Sequence, residues 1–246
     1  MLLAADPQRI VLPAAVADYE ALVKTVMKHE KGGPSVEDLY ITGKQTIDLL
    51  HSQYAEDAQG RRIQSGNTDL LLFDALTENE LQGLNDRLQG FHISRGAARI
   101  HIRTDTEFFK RLAKKYGGPA DKAYFSLLAK RTVDDAYPKF EIVDSNFGTC
   151  VDYGTDGIVS AYRDWDDFRK KYPESYKEGV ERRMAEIKLA LTRRLCACGS
   201  DKAAVTKEFR DFLSAFPKAE FSDEVLATLH DIDSGISTLR LDCHPG

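Results

Sequence analysis

Apolar side chains recur at three- and four-residue spacing over most of this chain, the pattern of helices that each bury one stripe. After Pro13, the residues Val16, Tyr19, Leu22, Val23, Val26 and Met27 share a face until Gly32-Gly33-Pro34, predicting a helix over 14–31. Ser35 and Asp38 then form a capping box for a second helix with the seam Val36, Tyr40, Gly43, Ile47, Leu50 and Tyr54, so the two should make a helical hairpin. Residues 58–68 carry turn formers without a period and read as a loop, and Leu70 to Phe73 form a short apolar segment. Thr77 with Glu80 starts a helix through Leu81, Leu84 and Leu88. Thr104 with Glu107 starts another, carrying Phe108, Phe109, Leu112 and Tyr116, and Gly117-Gly118-Pro119 turns the chain into a helix over 119–132.

Between these helices the period changes to two. In residues 91–103 Phe91 and Ile93 alternate with His92 and Ser94, and Ile100 and Ile102 alternate with Arg99, His101 and Arg103. A four-residue loop over 95–98 would set Ile93 opposite Ile100 and His92 opposite His101. Residues 139–144 are expected to join the same small sheet. The C-terminal third returns to helical stripes: Ile158 to Tyr172 before Pro173, then Val180, Met184, Ile187, Leu191 and Leu195. Val205, Phe209, Phe212 and Phe216 follow, and Ser222 caps a last helix with Val225, Leu226, Leu229 and Ile232. The expected fold is mainly α, a helical bundle-like domain with a small β-hairpin or sheet around 91–103 and 139–144. No fixed-period repeat or linker forces a boundary, so residues 1–246 read as one domain behind a flexible segment over 1–12.

Composition narrows the function. A net charge of −5 and a pI near 5.7 supply no basic field for nucleic acid, and a mean hydropathy of −0.39 suits a soluble chain. No run reaches the length and apolarity of a membrane span. Leu2-Leu3-Ala4-Ala5 before Asp6-Pro7 resembles the end of a signal sequence, and four cysteines is an even number. Both favour an extracytoplasmic location, periplasmic or secreted.

Cys196 and Cys198 sit one residue apart in a predicted helix end. Helical geometry to Cys198 would aim them about 200° apart, so two separate disulfides drawing on Cys150 and Cys243 are expected, with the pairing open. The alternatives are reduced structural thiols and a zinc site of Cys196, Cys198, Cys243 and Cys150 or His244, although the spacing matches no paired C-x-x-C pattern.

His92 and His101 are a second candidate metal pair, to which Asp152 and Asp156 would add carboxylates. Those two aspartates and Gly157 also fit positions of a calcium loop, but Arg163 stands where its bidentate Glu belongs. Asp134, Asp135, Asp164, Asp166 and Asp167 form a candidate acidic patch for a basic protein partner. His230-Asp231 lacks the distal His and Asp of HD-type phosphohydrolases, and no nucleophile elbow, P-loop or dinucleotide pattern occurs. The sequence therefore favours a protein that binds another protein, such as an inhibitor, immunity protein or accessory factor, without a cofactor. The alternative is a metal-assisted hydrolase built on His92, His101 and an Asp, with zinc or calcium bound. Oligomeric state has no signature in the sequence.

Overall fold

The computed structural model describes residues 14–29, 32–53, 78–95, 100–133, 135–144, 148–193, 196–199, 201–237 and 240–241. The expected N-terminal segment, the loop over 58–68 and Leu70 to Phe73 lie outside them. The protein is mainly helical, with three small antiparallel hairpins among the described residues. It divides into two units, Met1–Ala129 and Lys130–Gly246, where the sequence marks no linker.

In the first unit, α1 (Ala14–Lys28) and α2 (Val36–Gln53) form the expected hairpin. The capping box is present: Ser35 Oγ accepts from the Asp38 amide at 3.0 Å, and Asp38 accepts from the Ser35 amide at 2.8 Å. Helix α3 (Glu78–Arg87) leads into β1 (Phe91–Arg95), which pairs with β2 (Ile100–Thr104) before α4 (Thr106–Tyr116) and α5 (Pro119–Arg131). Asp105, rather than Thr104, caps α4 by accepting from the Phe108 amide at 2.9 Å, because Thr104 is still in β2. Asn85 of α3 exchanges two hydrogen bonds with the Ile93 backbone, at 2.7 and 2.6 Å, and so acts as an extra rung on the hairpin.

An aromatic core closes this unit. Tyr40 meets Phe109, Tyr124 and Phe125 edge-on, and Phe109 stacks on Phe125. Tyr19 stacks on Phe91 with ring centroids 4.5 Å apart. Two glycines admit Tyr19. A Cβ at Gly43 would come within 3.1 Å of its ring, and one at Gly90, where φ is +89°, within 2.3 Å of its hydroxyl. Met27, expected on the buried stripe, is exposed.

In the second unit, β3 (Thr132–Val133) and β4 (Tyr137–Pro138) form a tight hairpin, and β5 (Glu141–Asp144) pairs with β6 (Gly148–Val151). The expected single sheet uniting 91–103 with 139–144 does not form: β5 turns back on the strand that follows it, the lower-entropy closure. Helices α6 (Gly157–Lys171), α7 (Lys177–Thr192), α8 (Lys202–Ala215) and α9 (Ser222–Ser234) complete the unit. Their stripes bury Trp165, Ile187, Leu191, Phe209, Phe212, Val225 and Ile232. Two expectations fail at α9. Ser222 is the first helical residue and donates from Oγ to the Phe216 carbonyl instead of capping, and Leu226 lies 56% exposed.

Candidate functional site

Helix α7 ends at Thr192, so Cys196-Ala197-Cys198 is not a helix end. It is an extended segment. The Val151 amide donates to the Cys196 carbonyl at 2.8 Å, the Cys198 amide to the Val151 carbonyl at 3.0 Å, and the Ala197 amide to the Arg240 carbonyl at 2.9 Å. The segment thus lies between β6 and the C-terminal part of the chain. Extended residues two apart share a side, which removes the helical argument for divergent sulfurs. The separation of the two cysteines nevertheless stands, because Cys198 is bonded to Cys150 of β6, with the Cα atoms 5.2 Å apart. Cys196 is also disulfide-bonded, and among the described residues no cysteine is free. Cys243 lies outside the described residues.

The histidine hairpin forms with its register displaced. Ile93 faces Ile102 rather than Ile100, His92 faces Arg103, and His101 faces Ser94. Both histidine positions fall on one face, as the alternation requires, but as diagonal neighbours and not as an opposed pair. His92 is exposed. Among the described residues no group of three His, Cys, Asp or Glu is placed to hold a metal.

The loop over Asp152 to Gly157 has the opposite polarity from a calcium site. Its amides converge on a carboxylate supplied by α8: Glu208, 1% exposed, accepts from the Gly154 amide at 2.9 Å and the Val159 amide at 3.3 Å, and also from the Asp156 backbone. Gly154 (φ +86°) and Asp156 (φ +56°) adopt left-handed backbone, which turns these amides inward at the start of α6. Burial pushes the Glu208 carboxyl above its ordinary value, more than the three amides pull it down. The Asp156 side chain is exposed, 4.0 Å from Lys207.

A second buried charge cluster joins α7 to the β3–β4 hairpin. Asp135, left-handed at the tip of the β3–β4 hairpin, and Arg183 have side chains only 1% exposed and meet at 2.5 Å. Arg183 also donates to the Asp135 carbonyl at 3.0 Å and to Glu186 at 2.9 Å, and Arg182 reaches Asp135 at 3.3 Å.

Three members of the expected acidic patch, Asp135, Asp164 and Asp166, are held in ion pairs. Asp135 is buried, and Asp134 lies outside the described residues. Asp164 accepts from Lys130 at 2.7 Å and from Arg131 at 2.6 Å, while Asp166 pairs with Arg169 at 2.9 Å and Lys170 at 2.6 Å. Burial pushes both carboxyls up, but the hydrogen bonds and charges of these cations outweigh it and hold them below the ordinary value. Asp167 is exposed on α6.

Glu208 and Arg183 escape a reading based on spacing alone, yet both carry a signal. Glu208 stands three residues after Val205 and one before Phe209, and Arg183 stands three after Val180 and one before Met184, so each is a charge on an apolar stripe. No family model, curated protein or solved structure matches the chain.

Proposed function

We propose that this protein works in an extracytoplasmic compartment, without catalysis of its own, by binding another protein. The Cys150–Cys198 disulfide carries this reading. Such a bond persists where no glutathione or thioredoxin system reduces it, and here it ties β6 to a segment that also pairs with β6 through backbone hydrogen bonds. The arrangement of titratable groups supports a non-catalytic role. Glu208, Asp135 and Arg183, the charges a buried catalytic centre would draw on, each have backbone or ion-pair partners that fix loops in place. Inhibitors, immunity proteins and accessory factors work in this way, by presenting a surface and not a reactive centre.

Fractionation of the source cell, with thiol alkylation at lysis, tests the proposal. The protein is expected in the extracytoplasmic fraction with no alkylatable cysteine, and cross-linked to one protein in a fixed ratio. Recovery from the cytosol with alkylatable cysteines would overturn the reading.

A further inference from the structure

We propose that Cys150, Cys196 and Cys198 form a thiol–disulfide exchange site, in which Cys150 passes from Cys198 to Cys196 once an external dithiol has opened the Cys196 disulfide. The backbone places the three residues. The Val151 amide donates to the Cys196 carbonyl and the Val151 carbonyl accepts from the Cys198 amide, so Val151 and Ala197 are partners in a parallel bridge. Parallel register then sets Cys150 alongside Cys196. Alternation along extended chain puts Cys150, Cys196 and Cys198 on one face and the buried Val151 and Ala197 on the other. Adjoining strands run about 4.8 Å apart, inside the Cα separation of about 4.4–6.8 Å that a disulfide spans. Cys150 is thus within reach of both cysteines, and the bond it makes, to Cys198 at a Cα separation of 5.2 Å, is the diagonal one.

Access sets the order of events. Cys150 is buried, whereas Cys196 and Cys198 are half-buried, so a dithiol in solution meets those two before Cys150. Cys196 is itself disulfide-bonded. An external dithiol, such as the paired thiols of a thioredoxin-like protein, gives two electrons to that bond: its own thiols join in a new S–S bond, and Cys196 and its former partner become thiols. Cys196 then loses its proton to water, and its thiolate attacks the Cys150 sulfur. The Cys150–Cys196 bond forms, the Cys150–Cys198 bond breaks, and the electron pair leaves on Cys198, which takes a proton from water. This second step consumes no further reductant. It moves the tie on β6 from Cys198, which precedes the α8 cap Asp201, to Cys196, which follows the end of α7 at Thr192. The approach to α8 is released while the end of α7 stays held. The exchange shares its oxidised cysteines with the function proposed above, but not its protein partner.

Partial reduction of the full chain by a phosphine at about pH 3, where thiolates are scarce, followed by a jump to higher pH, tests the exchange. Samples are trapped by acid, alkylated under denaturing conditions and mapped by mass spectrometry. Molecules that keep one disulfide should contain no Cys150–Cys196 peptide at about pH 3 and should acquire it at about pH 8. Its rate of appearance should rise about tenfold per pH unit below the ordinary thiol pKa of about 8.5, because the thiolate is the attacking species. In Cys198→Ser, Cys150 has only Cys196 within reach, so a Cys150–Cys196 bond is expected with the fourth cysteine, Cys243, alkylated. Absence of the Cys150–Cys196 peptide at about pH 8 while thiols are still free would overturn the proposal. A free Cys150 in oxidised Cys198→Ser would do the same. The pH jump uses the unaltered chain and decides the question even where the variant fails to fold. Failure of the exchange leaves the two disulfides and the compartment reading standing, whereas alkylatable cysteines in the isolated chain before any reduction would remove the compartment reading.

Discussion

Both units close aromatic cores, but among the described residues only the second adds buried charges and a disulfide. In the first, Tyr19, Tyr40, Phe91, Phe109, Tyr124 and Phe125 meet ring against ring, and glycines at 43 and 90 make room for them. In the second, Phe212 likewise stacks on Phe221 and meets Tyr162 edge-on, but a disulfide, the buried Asp135–Arg183 pair and the Glu208 carboxylate are added. The difference follows from backbone. Unit two contains a three-residue hairpin tip and a loop with left-handed Asp135 and Asp156, conformations that persist only where neighbours fix them. Arg183 and Glu208 do so. The first unit should therefore respond mainly to changes of volume, and the second also to loss of charge partners, to reduction and to pH.

The largest effect is expected from Arg183→Ala. It removes the closest cation from the Asp135 carboxylate in a site 1% exposed while Arg182 stays at 3.3 Å, and removing one partner of a buried pair costs about 3–5 kcal/mol. Chemical denaturation of the second unit's near-ultraviolet signal, dominated by Trp165, reads the loss. A change below about 1 kcal/mol would show that the cluster is not what fixes the hairpin.

Gly90→Ala comes next. The new methyl would sit 2.3 Å from the Tyr19 hydroxyl on a backbone with φ of +89°, and overpacking of this kind costs about 1–3 kcal/mol. Tyr19→Phe alone should be neutral or stabilising, because the buried hydroxyl has no hydrogen-bond partner among the described residues. In the double variant, Tyr19→Phe should recover part of the Gly90→Ala loss. Additive losses across that cycle would contradict the contact.

The smallest and most discriminating effect is on pH. Glu208 holds its proton more tightly folded than unfolded, so its contribution is full below the ordinary value of 4.5 and is lost as pH rises through the folded value. Glu208→Gln should flatten that slope. Asp164 and Asp166 act with the opposite sign. Their contribution is present above the ordinary 3.8 and is lost as pH falls through their depressed values, so Asp164→Asn should remove part of the acid limb. Stability profiles of the two variants against the parent separate these windows.

Most of the helices were legible because a buried stripe is a local property of sequence. The β1–β2 hairpin shows where that locality ends. Its faces are as the alternation predicts, but β1 runs through Arg95, one residue further than expected, which moves each cross-strand partner by two and preserves the parity. The Cys196–Cys198 segment misled for a related reason. Arg193, Arg194 and Gly199 look like helix-end residues, yet α7 stops at Thr192 and the segment extends along β6 through backbone bonds that leave no periodic mark. Asp152 and Asp156 suggested a cation site because Asp and Gly shape turns as readily as they bind calcium. The direction of the loop amides toward Glu208 depends on a residue 54 positions beyond Gly154 and has no local signature.

An oxidised, covalently tied second unit underlies both the architecture around β6 and the compartment proposed from it, and peptide mapping of the unreduced full chain by mass spectrometry reads that state without intermediaries. A linked peptide joining Cys150 to Cys198 is expected, with no alkylated cysteine anywhere before reduction. A Cys196–Cys198 linkage, or a free Cys150, would contradict both.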